Sequence, residues 1–103
     1  MIRFVFYLSL IFIPAIGEAG EDPLAVLKKD QPADVAKMVD RLVGCAHWAG
    51  EEPYDAQREK QIRKALKELK CDRLDRDYQA MMKLYAKQPK VLDALKKAHD
   101  WSY

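Results

Sequence analysis

The chain has 103 residues, of which 33% are charged and 50% apolar, with a formal net charge of +2. That describes one small domain, too apolar for disorder and too short for a deep core. Beyond residue 19 there is no Phe, Asn or Thr, and Ser102 is the only serine; the chain therefore lacks an internal hydroxyl nucleophile and a glycine-rich phosphate loop, and has too few β-branched residues to favour a sheet.

At the N-terminus, Met1-Ile2-Arg3 sets one cation before the apolar residues 4–13, and Pro14, Ala15, Gly17, Ala19 and Gly20 follow. This is the order of a cleaved signal peptide, expected to cover residues 1–19 and end after Ala19, with cleavage after Gly17 as the alternative. The apolar run falls short of the ~20 residues that span a bilayer, which argues against an uncleaved anchor. The expected product, residues 20–103, has no membrane span and resides in the periplasm or is secreted.

The product reads as all-α. Residues 24–29 suggest a short turn of helix. In residues 32–44, Val35, Met38, Val39, Leu42 and Val43 recur at helical spacing, Pro32 suits a first turn behind Asp30 or Gln31 as cap, and Gly44 or Gly50 can end the helix. A second helix is expected at residues 54–70, with Ile62, Ala65, Leu66 and Leu69 as a narrow inner stripe. Asp72 can cap a third at residues 73–87, where Leu74, Tyr78, Met81 and Tyr85 share a face, and Pro89 opens a fourth at residues 89–101.

Two cysteines in a small exported chain read as one disulfide, Cys45 to Cys71. A helix over residues 55–70 is roughly 24 Å long, and a tight hairpin would leave the two cysteines at its opposite ends. Residues 46–54 must then travel back along the domain, or the helices must cross steeply. The expected fold is a compact orthogonal four-helix domain stapled by one disulfide.

Candidate chemistry concentrates in residues 45–55, which hold His47, Trp48, Glu51, Glu52 and Tyr54. Three readings stand. Cys45, His47 and an acid could ligate zinc, although no zinc spacing is matched. Trp48 could close the core against the disulfide, with Glu51 or Glu52 at the next helix N-terminus. Or Trp48, Tyr54 and the acids could form a recognition surface. The following helix and turn carry Arg58, Lys60, Arg63, Lys64, Lys67, Lys70, Arg73 and Arg76 against Glu59, Glu68, Asp72 and Asp75. That excess is either a solvated face or an attraction for an anionic partner. No nucleic-acid motif is present, and no cofactor or metal is expected.

At the C-terminus, Trp101 and Tyr103 suggest a docked end, and His99, Asp100 and Ser102 lack a scaffold for a catalytic triad. The spacing of Cys45 and Cys71 also fits no thiol oxidoreductase. In size, leader, disulfide and helicity the chain resembles several classes of small exported helical bacterial proteins. Immunity proteins and inhibitors that occlude envelope-degrading enzymes are among them. The resemblance carries over no residues; with it, the expected product is a non-enzymatic protein-binding module with a protein partner, and the candidate binding residues, read from the connector and the charged helix themselves, are His47, Trp48, Glu51, Glu52, Tyr54, Arg63, Lys64 and Lys67. The alternative is a structural or stress-related envelope protein that binds anionic surfaces or a metal ion.

Overall fold

The computed structural model describes residues 22–101. The expected leader, residues 1–19, lies outside them, as do Ser102 and Tyr103. Five helices follow in order: α1 (Pro23–Lys28), α2 (Ala33–Ala49), α3 (Ala56–Glu68), α4 (Leu74–Leu84) and α5 (Pro89–His99), with a 3-10 turn (Cys71–Arg73) leading into α4. Among the described residues there is no strand, and no helix is long and apolar enough to cross a membrane.

The helix ends have local causes. Asp22 opens α1 by accepting a hydrogen bond from the Leu24 N–H at 3.1 Å, and Pro23 occupies the first turn. The N-cap of α2 is Pro32 itself, without a side-chain hydrogen bond. Asp30 does not cap it but turns the chain at φ 60°. Asp55 caps α3, accepting from the Arg58 N–H at 2.7 Å, so Glu51 and Glu52 do not hold that role. Asp72 lies within the 3-10 turn instead of capping α4, whose N-cap is Arg73. α4 and α5 close at Leu84 and His99, a turn or less before the expected ends.

The largest departure from the sequence reading is at the end of α2. Helix continues through Gly44 and Cys45 to Ala49, and Gly50 ends it by donating to the carbonyls of Ala46 and His47, both at 3.2 Å. Gly44 serves there for close approach and does not terminate the helix. A Cβ on it would stand 3.0 Å from Leu69 Cδ1, so the missing side chain lets the end of α3 lie against α2. Cys45 is therefore inside α2, about one turn from its end. The connector shortens to residues 50–55, and α3 returns along α2.

The core joins Val35, Met38, Val39, Leu42 and Val43 of α2 to Tyr78 of α4 and Val91, Leu95 and Ala98 of α5. Leu24 and Leu27 of α1 and the C-terminal Trp101 pack against it. Val35, Val39 and Leu95 are fully buried, each contributing about 1.5–3 kcal/mol through removal of apolar surface from water. At the far end of α2's buried stripe, Tyr85 donates to both carboxylate oxygens of Asp34 at 2.8 and 2.9 Å. This bond, followed by partial burial and the Asp34 charge, raises the Tyr85 pKa above its ordinary 10.0.

α3 contributes nothing to this core. Its buried residue is Ile62, and Ala65, Leu66 and Leu69 are half-buried against α2. Two other links hold it. The Cys45–Cys71 disulfide, with Cα atoms 5.7 Å apart, ties the residue just past α3 to α2. Arg41 of α2 donates from Nε to the Leu69 carbonyl at 2.8 Å and from Nη2 to the Lys70 carbonyl at 3.0 Å. Those carbonyls are among the groups a helix end leaves without an intrahelical partner.

Replacing both cysteines by alanine reopens a loop of 26-residue separation. The expected loss is about 3 kcal/mol in urea denaturation, with most far-UV helical signal retained in water. An unchanged midpoint would show that the sulfur bridge is incidental to stability.

Candidate functional site

The sequence placed His47, Trp48, Glu51, Glu52 and Tyr54 in a connector and Arg63, Lys64 and Lys67 on the helix after it; the structure puts His47 and Trp48 in the last turn of α2, Glu51, Glu52 and Tyr54 in a short loop, and the three cations on α3. Trp48 is half-buried and does not close the core against the disulfide. The Arg58 guanidinium of α3 stands over its ring, 5.1 Å from the centroid, and the His47 ring meets its edge at 5.3 Å. Such stacking of a cation on an indole face is favourable because the ring's quadrupole is negative there. Glu51 completes the group, with Oε1 at 3.1 Å from Arg58 Nη2 and 3.4 Å from His47 Nε2. Arg58 Nη1 also donates to Gln61 Oε1 at 3.0 Å.

Four side chains from two helices and a loop thus form one cluster: His47, Trp48, Glu51 and Arg58. Glu52 and Tyr54 belong to the same loop but are exposed, Tyr54 at 80%. An aromatic ring at that exposure brings no packing to the domain and leaves its apolar face to water.

Arg63, Lys64 and Lys67 lie with Lys60 at i, i+3, i+4 and i+7, the spacing of one helical face. Ile62, Leu66 and Leu69 occupy the opposite face, so the cations form a stripe directed outward, and all four are exposed. Glu59 Oε1 lies 2.8 Å from Arg63 Nη2, and Glu68 approaches Lys64 at 4.0 Å. At these exposures such pairs are worth little. Lys60 and Lys67 have no ion-pair partner among the described residues.

Cys45 is bonded to Cys71, and among the described residues no group of three or more His, Cys, Asp or Glu side chains is placed to hold a metal ion. His99 Nδ1 and Asp100 Oδ1 come within 3.2 Å, Asp100 being the C-cap of α5. The His99 ring stacks on Tyr78, with centroids 4.4 Å apart, and this ties it to the core edge.

Sequence reasoning missed Arg41. It was one charge among many on an amphipathic helix, yet it is the polar centre of the α2–α3–α4 junction. Besides the two carbonyls, its Nη2 meets Asp77 Oδ2 of α4 at 3.0 Å. Partial desolvation pushes the Asp77 carboxyl up. The Arg41 hydrogen bond and charge, with the charges of Arg76 and Arg73, outweigh it and hold the group below its ordinary 3.8. Arg58 was likewise read only as part of the charge excess.

Comparison with protein-family models, curated proteins and solved structures finds no match to this chain.

Because the native Asp77 value is depressed, its stabilising contribution is complete above the ordinary value of 3.8 and is lost as pH falls through the native value. Wild type should therefore exceed Asp77→Asn in urea stability at neutral pH, with the gap closing only on acidification below 3.8. Arg41→Ala should cost about 2 kcal/mol at neutral pH, since two carbonyls lose a charged donor. A gap that is the same at all pH values would show that the Arg41–Asp77 pair is not the source.

Proposed function

We propose that the chain is an exported, non-enzymatic helical module that binds a protein partner and acts as an inhibitor or immunity factor for an envelope or secreted enzyme. The observation that carries this reading is the juxtaposition at the α2–α3 turn. There, exposed Tyr54 and the Arg58-covered Trp48 adjoin a helix whose outer face is a stripe of cations. Aromatics beside arginine have the composition of interface anchors, and the Trp48 ring is held between two packed helices. The cations would steer an acidic partner face toward them. The disulfide fits an oxidising compartment, and with it the exported reading.

The charged face of α3 also gives a specific reason for the second reading, a structural envelope protein that binds anionic surfaces. The two differ in what holds the complex. A protein interface centred on Tyr54 and Trp48 resists salt, whereas attraction through Lys64 and Lys67 alone is screened by it.

The test is capture from an envelope and secreted-protein extract on the immobilised oxidised chain, with salt washes and quantitative mass spectrometry. One enzyme should be retained through high salt. Its affinity should fall by more than about 1 kcal/mol in Tyr54→Ala and in Trp48→Ala, and its activity should drop on binding. Retention that disappears with salt and with Lys64→Glu/Lys67→Glu, but is indifferent to both aromatics, would reject the protein-partner reading in favour of the anionic surface.

A further inference from the structure

A second feature lies on the other side of the α3 end, away from the Trp48 cluster. A cleft of about 230 Å³ opens between α2, the end of α3, the 3-10 turn and α4, lined by Lys37, Asp40, Arg41, Lys70, Arg73 and Asp77, with Glu68 and Leu69 at its edge. Cations and acids are nearly balanced in number there, but they are not equally engaged. Asp40 is held by Lys28 at 3.0 Å, Asp77 by Arg41 at 3.0 Å, and Glu68 faces Lys64 at 4.0 Å. Lys37, Lys70 and Arg73 form no close ion pair among the described residues, and of the three only Arg73 acts on an acid of the cleft, Asp77, at longer range. Arg41 covers the Leu69 and Lys70 carbonyls, so the negative end of α3 is masked where the cleft begins.

The backbone supplies an independent sign. Lys70 is held at φ 54°, ψ 47°, the left-handed conformation that follows many helix ends and that glycine, having no Cβ, adopts without crowding. A lysine here strains the backbone and in exchange adds a cation to the wall of the cleft. Strained non-glycine residues concentrate where a side chain serves a ligand.

We propose that this cleft binds a phosphate-class oxyanion, either free phosphate or a phosphomonoester group, with Lys37, Lys70 and Arg73 supplying the unpaired positive charge. Lys37 reaches the cleft from α2, and Lys70 and Arg73 from the 3-10 turn facing it, so cations from two segments line a volume with room for a phosphate group and its hydration water. The site uses none of the residues assigned to partner recognition, so its existence is independent of that function.

Lys70→Gly separates ligand binding from backbone relief. It removes the cation while easing the left-handed turn, so the domain should be at least as stable in urea. Titration of the oxidised protein with inorganic phosphate in a non-phosphate buffer, followed by NMR, should give saturable shifts confined to Lys37, Arg41, Lys70 and Arg73. Lys70→Gly and Arg73→Gln should each weaken that binding about fivefold to tenfold, the loss of one charged contact, while Lys96→Gln on α5 leaves it unchanged. Vesicles of phosphatidylcholine with and without phosphatidic acid distinguish the source. Retention only on the acidic vesicles, lost in Lys70→Gly, assigns a lipid headgroup, and its absence alongside saturable phosphate binding assigns a free anion. Non-saturating shifts, shifts confined to the outer face of α3, or a more stable Lys70→Gly that binds phosphate as wild type does would each overturn the site.

Discussion

The junction between the body of α2 and the end of α3 is the constraint on which the rest of the arrangement depends. Three different kinds of contact meet within one turn of α2. Cys45 is bonded to Cys71, Gly44 admits Leu69, and Arg41 takes up two terminal carbonyls and the Asp77 carboxylate. None of them belongs to the apolar core. A helix as polar as α3 has one buried side chain and could not remain docked on apolar contact alone. The covalent link reduces the entropy of the unfolded chain, while the arginine satisfies groups that would otherwise face the cleft unpaired.

This division of labour explains the composition. α1, α2, α4 and α5 form a conventional helical core around Val35, Val39 and Leu95, and α3 is released from core duty. Its sequence can then carry cations on three sides without destabilising the fold. One flank meets Trp48 through Arg58, the outer face carries Lys60, Arg63, Lys64 and Lys67, and the end presents Lys70 to the cleft. The partner-binding proposal rests on this charged helix, and the anion cleft on the turn that the same clamp holds just beyond its end.

The all-α class, the disulfide and the buried stripe of α2 were legible in the sequence. Val35, Met38, Val39, Leu42 and Val43 repeat at a period that only a helix satisfies, and two cysteines in so short a chain have one intramolecular pairing. The sequence offered Gly44 or Gly50 as the end of α2 and could not choose between them, because Gly44 looks like a terminator until Leu69 is placed beside it. Arg41 and Arg58 could not be distinguished from solvated charges, since their partners are backbone carbonyls 28 and 29 residues away and an indole on another helix. Of the candidate residues, His47, Trp48 and Glu51 do converge. Tyr54 shares their loop without joining the packing, and Arg63, Lys64 and Lys67 lie on a separate face, as helical periodicity alone implied.

Amide hydrogen exchange on the oxidised and the dithiothreitol-reduced protein tests the central claim most directly, because it reads the stability of each helix separately. Reduction should strip protection from α3 and the 3-10 turn while the buried amides of α2 and α5 keep theirs. Protection lost equally from all helices, or retained in α3, would contradict the account that this helix is clamped to a core it does not help to form.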